Sequence, residues 1–189
     1  METILEKIRQ FADAAHGSQM RKYTPERYIV HPIRVMETLR KYDDSLPVLA
    51  AALLHDVLED TPVTPKEMLE FLLTVMNNDD ANETLRLVIE LTDVYIKADY
   101  PQLNRRERKR RELERIVQTS PKAQTIKYAD ILDNTSEITS HDPGFAPRFL
   151  HECLDNLKGA DKGNKELYQI ALTEVQNKLQ NLRGLTRSR

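Results

Sequence analysis

The stretch "AAALLHDVLEDTPVT", residues 50–64, starts as apolar as a helix buried on every side. It then places His55, Asp56, Glu59 and Asp60 within six residues. A helix is predicted over 46–60. On it Asp56 has Glu59 and Asp60 three and four positions on, so these acids share a face, with His55 one position round beside them. Unpaired carboxylates in an apolar setting are costly, so such a cluster needs a cation, an arginine or water. A divalent metal would resolve the conflict directly. The plain alternative for any one of these acids is a C-terminal helical turn reaching solvent.

The rest of the chain supports the helical reading. It has 189 residues, enough to close one substantial core, and the expectation is a single domain, residues 1–189. Only five glycines, no tryptophan and an abundance of Leu, Glu, Lys and Arg favour helices over strands, because straight-chain residues lose little rotamer freedom in a helix. The expected fold is all-α, a bundle of about eight to ten helices. Elements are predicted near 2–16, 31–42, 46–60, 65–76, 80–94, 104–118, 121–141, 146–158 and 161–183. The clearest start signal is "TPKE": Thr64 can cap, Pro65 suits the first helical position, and Glu67 stands where a capping box wants an acid. Near the C-terminus Leu167, Ile170, Ala171, Val175, Leu179 and Leu182 form one stripe, the packing face of a terminal helix.

Charge and targeting signals narrow the function classes. A formal net charge of -2 gives no whole-molecule field to gather nucleic acid or an anionic membrane, so neither is expected as a partner. One cysteine, Cys153, cannot form an internal disulfide, which fits a reducing compartment. The start, "METILEKIRQFADAA", carries acids and no apolar h-region, and the longest apolar run, Val48 to Leu54, is far too short to span a bilayer. A cytoplasmic protein is expected. Two stretches resist helical assignment, "HGSQMRKYTPERYIVHP" (16–32) and "YIKADYPQL" (95–103). Both combine basic residues, tyrosine and proline, as loops over a site often do.

Other chemistry-bearing residues accompany the 50–64 stretch. His31 stands in "YIVHP", and Asp130 and Asn134 in "KYADILDN" are four apart and share a helical face. His31, His55, Asp56 and Asp130 make a mixed N/O set suited to Mn, Fe, Zn, Ni or Co, leaving coordination positions for water and substrate. The run "NRRERKRRELER" (104–115) holds seven basic and three acidic residues. It reads either as a solvated helix laced with i,i+4 pairs or as a patch for anions.

These residues resemble the three signature segments of the HD-superfamily hydrolase domain of RelA/SpoT-type enzymes, which include small stand-alone (p)ppGpp hydrolases. The segments are "HGSQMRKYTPERYIVHP", "ALLHDVLEDT" and "IKYADILDN", and the match runs over about residues 5–140, with packing helices after it. The resemblance implies one metal ion, usually manganese, held at His31, His55, Asp56 and Asp130, with Glu59 and Asp60 handling the attacking water. It implies a nucleotide substrate, and removal of a 3′-pyrophosphate from (p)ppGpp to give GDP or GTP. It places Arg21 near the base, with Lys22 following it in the same motif, and Asn134 on the ribose or phosphate side. Basic residues of the 104–115 region and the loop before it fall near the phosphates, where Lys97, Arg105 and Lys109 are the candidates. His16 and Gln19 would brace the loop, while His141 and His151 match no family position.

The chain also departs from the family pattern. Glu26 and Arg27 stand between Pro25 and Tyr28 where the family has tyrosine directly after proline, and Ile131 and Asp133 replace a basic residue and a frequent histidine. No metal-ligand position is lost, so substrate identity is what the departures bear on. Two alternatives stand beside the alarmone reading: an HD phosphohydrolase for another nucleotide, such as a nucleoside monophosphate or a 3′-phosphorylated dinucleotide, and an idle HD module that senses nucleotide. Retention of all four ligand positions and the acid pair speaks against the idle module. The family's synthetase is a separate mixed α/β domain, so synthetase activity is not expected of this chain.

Overall fold

The computed structural model describes residues 1–187. These residues form ten helices: α1 (Glu2–His16), α2 (Val30–Leu39), α3 (Leu46–Leu54), α4 (Val57–Asp60), α5 (Pro65–Val75), α6 (Asn78–Leu91), α7 (Arg105–Ile116), α8 (Pro121–His141), α9 (Ala146–Gly159) and α10 (Lys165–Arg187). The only β pairing among them is an isolated antiparallel bridge between Met20 and Arg27. The all-α expectation holds. The chain packs as two compact units, Met1–Thr92 and a second from Asp93 onward.

In the first unit α3 is the centre. Every residue from Pro47 to Leu54 is buried, because a helix with no polar face has nothing to present to water. It packs against α1, α2 and α6. These bring amphipathic faces to it: Leu5, Ile8 and Ala12 from α1, Val35, Met36 and Leu39 from α2, and Leu87, Val88 and Leu91 from α6. The capping box at α5 forms as its sequence predicts. Thr64 accepts from the Glu67 amide, and Glu67 reaches back to the Thr64 amide at 2.8 Å. Phe71 of α5 stacks on Phe11 of α1, ring centroids 4.1 Å apart.

One predicted element is corrected here. The single helix expected over 46–60 is two, broken at His55 and Asp56. Asp56 adopts φ -97° and ψ -6°, the backbone conformation between the main wells. The break separates an apolar segment that must stay inside from a polar turn that must not. His55 remains buried, while Glu59 and Asp60 reach solvent.

The second unit is built on α8, which begins and ends where its sequence pattern places it and packs against α9 and α10. Asn104 and Ser120 cap α7 and α8 by accepting from the amides of Glu107 and Ala123. In α10 the buried seam is Leu167, Ala171, Val175 and Leu179, a single i,i+4 row. Ile170, expected in that stripe, is 42% exposed, because a one-row seam leaves the i+3 position at its edge. The turn between α9 and α10 is sealed onto α8 by Gly163. A Cβ there would meet Tyr128 at 2.6 Å and Thr125 at 2.8 Å, and the Gly163 amide donates to the Tyr128 hydroxyl. That hydroxyl donates to the Ala160 carbonyl at 2.7 Å, and burial pushes its pKa up to about 12.

Candidate metal centre and active site

The break after α3 creates the candidate metal centre. His55 Nδ1 lies 2.8 Å from the Ala52 carbonyl oxygen. A carbonyl only accepts, so Nδ1 carries the proton and Nε2 the lone pair, as metal-ligating histidines require. Nε2 sits 3.0 Å from Asp56 Oδ2, and Nε2 of His31, on the first turn of α2, sits 3.5 Å from the same oxygen. Both imidazoles are almost fully buried, and the ligand atoms of His31, His55 and Asp56 all lie within 4.8 Å of one another. Two buried nitrogens converging on one carboxylate oxygen fit a divalent cation.

A fourth side chain, which sequence reasoning missed, reaches this carboxylate. The Tyr28 hydroxyl donates to Asp56 Oδ2 at 2.6 Å. Its signals in the sequence are its position three residues before His31 and the tyrosine the family carries in this segment. Tyr28 is held by a tight reversal of the 16–32 loop. The Tyr28 amide donates to the Gln19 carbonyl and the Arg21 amide to the Glu26 carbonyl, both at 2.9 Å, around the Met20–Arg27 bridge. The residues that depart from the family pattern lie on the returning limb. Arg27 pairs with Asp13 at 2.8 Å and Glu26 with Arg34 at 2.8 Å, which ties the limb to α1 and α2. Arg21 lies over the Tyr28 ring at 5.9 Å, and Lys22 donates to the Tyr23 hydroxyl at 2.8 Å.

Glu59 and Asp60 are exposed on α4, where water can reach them. The Gln19 amide donates to Asp60 Oδ2 at 3.3 Å, and His16 Nδ1 lies 2.9 Å from Gln19 Oε1. The structure therefore brings His31, His55 and Asp56 together in the first unit, with the acid pair on the turn that follows.

The remaining candidates belong to the second unit. Asp130 is buried on α8, with Oδ1 accepting from Asn134 at 2.6 Å and Oδ2 from Lys127 at 2.8 Å. Both residues of the predicted pair line a cavity of about 860 Å³, within the range of small-molecule sites. Arg105 and Lys109 line it too, joined by Arg106, Arg110, Lys127 and Arg148, with the acids Glu107, Glu152 and Asp155 and the ring of Phe149 among them. Lys127 was legible in principle, since it stands one helical turn before Asp130. Lys97 is exposed in the 92–104 connection and takes no part in this lining.

The basic run of α7 divides by face. Arg110 and Arg111 pair with Glu107 at 2.7 and 3.1 Å, while Arg105 pairs with Glu152 of α9 at 2.6 Å and Lys109 with Asp93 at 2.8 Å. Burial pushes the Asp93 carboxyl up, but the charges of Lys109, Lys127 and Arg115 outweigh it and hold the pKa below the ordinary value. Glu112 is nearly fully buried and accepts from the Val94 amide at 2.6 Å and from the Tyr95 amide, so it clamps the start of the 92–104 connection. Nothing in an all-charged run marks it out. Cys153 also faces the cavity, its thiol pushed up to about 12 by burial and the nearby Asp130 charge.

Buried His-His-Asp donors at a helix break, followed by two exposed acids, define a class, and the comparisons agree with it. The HD domain family model matches residues 28–135, and the chain belongs to that family. Within it the chain falls with the SpoT-like proteins. It is 35% identical to guanosine-3′,5′-bis(diphosphate) 3′-pyrophosphohydrolase MESH1 of Mus musculus over 182 residues, covering 93% of this chain and 92% of that protein. The protein of the same name from Homo sapiens is 34% identical, covering 93% and 92%. A solved structure described as "A metazoan ortholog of SpoT hydrolyzes ppGpp and plays a role in starvation responses" superposes with a TM-score of 0.76 at 27% identity, covering 93% of this chain and 96% of that one. The family match takes in segments of both compact units.

Proposed function

We propose that the chain is a manganese-dependent phosphohydrolase that removes the 3′-pyrophosphate of (p)ppGpp, water being consumed and GDP or GTP and pyrophosphate released. The observation that carries this is the convergence of His31 and His55 on Asp56 beside the exposed Glu59 and Asp60. The near full-length likeness to proteins named for that activity supports it. His31, His55 and Asp56 would hold the ion. Asp130 is proposed as a further ligand on the strength of its segment, "KYADILDN", alone. A bound divalent ion supplies Lewis-acid polarisation of a phosphoryl oxygen and a more acidic water.

The chain's own groups do the rest. His55 is kept in the ligating tautomer by the Ala52 carbonyl, and Tyr28 fixes the orientation of the Asp56 carboxylate. Glu59 or Asp60 accepts the proton of the attacking water, as exposed carboxylates next to the centre can. Arg21 offers a guanidinium plane to the purine, and Lys22, Arg105, Lys109 and Asn134 oppose the phosphates and ribose, with Lys97, exposed in the connection before α7, proposed alongside them. A single cysteine fits a reducing cytoplasm as the setting.

The test is metal analysis of protein purified without chelator, followed by incubation with ppGpp and Mn²⁺. GDP and pyrophosphate in equal amounts are expected. Cleavage of AMP, dAMP or a 3′-phosphorylated dinucleotide with ppGpp left intact would reject the alarmone assignment and keep the phosphohydrolase.

A further inference from the structure

A polar chain runs from inside the first unit to the proposed base. His16, at the C-terminal end of α1, is 7% exposed. Its Nδ1 lies 2.9 Å from Gln19 Oε1, and Gln19 Nε2 lies 3.3 Å from Asp60 Oδ2. The chemistry of the chain's outer end fixes its direction. An ionised carboxylate only accepts, so the Gln19 atom facing Asp60 must be the amide nitrogen. The Gln19 oxygen then faces His16, and the imidazole proton must sit on Nδ1. His16 Nε2 is buried and makes no hydrogen bond, so nothing on that side competes for the proton. The ring is wedged by Tyr28, 4.5 Å away between centroids, the residue that also donates to Asp56.

Asp60 is otherwise an exposed side chain free to exchange rotamers, and a base serves only while it points at the water it deprotonates. We propose that Gln19 and His16 are positioning residues of the hydrolysis: His16 fixes the Gln19 amide, and that amide holds one Asp60 oxygen so that the other faces the reacting water. This rests on the reading of Asp60 as part of the water-handling pair. It assigns to two residues of the 16–32 loop a role in turnover instead of loop bracing, and it makes the loop carry the orientation of two acids, Asp56 through Tyr28 and Asp60 through Gln19.

The test joins a spectroscopic and a kinetic arm on the full chain. Nitrogen-15 correlation spectra of labelled histidine should show His16 as the Nδ1-protonated tautomer in the unsubstituted protein, and Gln19→Leu should abolish that preference. In Mn²⁺-dependent ppGpp turnover, Gln19→Leu should lower kcat about 10- to 100-fold, the range for losing one hydrogen bond to a charged group, with KM and Mn²⁺ affinity unchanged. Gln19→Asn, too short to bridge, should do the same and serves if Gln19→Leu fails to fold. His16→Leu should follow them, and His16→Asn should rescue, because its amide nitrogen takes the place of Nδ1. Gln19→Leu added to Asp60→Asn should cost nothing further, since Gln19 acts through Asp60. An Nε2-protonated His16, an unchanged kcat in Gln19→Leu, losses that add in the double variant, or a fall in Mn²⁺ affinity would each overturn the proposal. If the unsubstituted protein binds Mn²⁺ but leaves ppGpp intact, the alarmone reading fails by itself, and the tautomer spectra still decide the positioning chain.

Discussion

Asp56 stands where a helix stops, and Asp130 stands in the middle of one that runs on for another eleven residues to His141. Around Asp56 Oδ2 gather a phenol and two imidazoles, from Tyr28, His31 and His55. Around Asp130 stand an ammonium and an amide, from Lys127 and Asn134. The acids of the second unit meet fixed cations: Glu152 meets Arg105, Asp93 meets Lys109, and Glu112 meets Arg115. A carboxylate approached by two buried imidazoles suits an added cation, whereas Asp130 already has an ammonium and an amide on its two oxygens.

The strongest way to break this contrast is to remove an imidazole. His55→Ala should abolish bound Mn²⁺ and lower turnover by about 10³-fold or more, as loss of a Lewis acid worth several kcal/mol implies, checked by metal analysis alongside pyrophosphate release. Full activity in a metal-free variant would end the metal assignment. Glu59→Gln should separate base from ligand: kcat falling about 10²- to 10⁴-fold with Mn²⁺ content unchanged. Parallel loss of metal would move Glu59 into the ligand set.

Tyr28→Phe sharpens the comparison. It removes one hydrogen bond to the Asp56 carboxylate and nothing else in shape, and Mn²⁺ affinity should drop about 10- to 100-fold while the melting temperature holds. An unchanged affinity would show that Asp56 needs no help from the loop. The smallest effect belongs to the second unit. The depressed pKa of Asp93 means that its charged form is favoured by folding. Its contribution is complete above the ordinary carboxyl range and is lost as pH falls through the lowered folded value. Asp93→Asn should therefore cost about 1–2 kcal/mol at neutral pH, read by urea unfolding, and the gap to the unsubstituted protein should close in acid. A gap constant across pH would place the cost in packing.

The helices and the His31, His55 and Asp56 set were legible, the helices because their signals are local and the set because its residue types suit a metal; that Asp130 joins them is a proposal. Thr64, Pro65 and Glu67 cap as their spacing predicts, and α8 keeps both of its expected ends. The break at His55 and Asp56 was not legible, since the residues there are compatible with a continuing helix and only the need to surface Glu59 and Asp60 interrupts it. Tyr28 and Glu112 were missed for a related reason. Their roles come from partners far along the chain, 28 residues away at Asp56 and 18 at Val94, and no periodicity encodes such a meeting. Ile170 misled because a stripe drawn on a helical wheel is wider than the single-row seam that α10 uses.

We propose that His31, His55 and Asp56 hold one divalent ion, with Asp130 added on the strength of its segment alone, and calorimetric titration of Mn²⁺ into the chelator-stripped protein and into Asp130→Ala tests this most directly. The account predicts one site per chain in the first and its loss, together with turnover, in the second. Unaltered binding and hydrolysis in Asp130→Ala would contradict it.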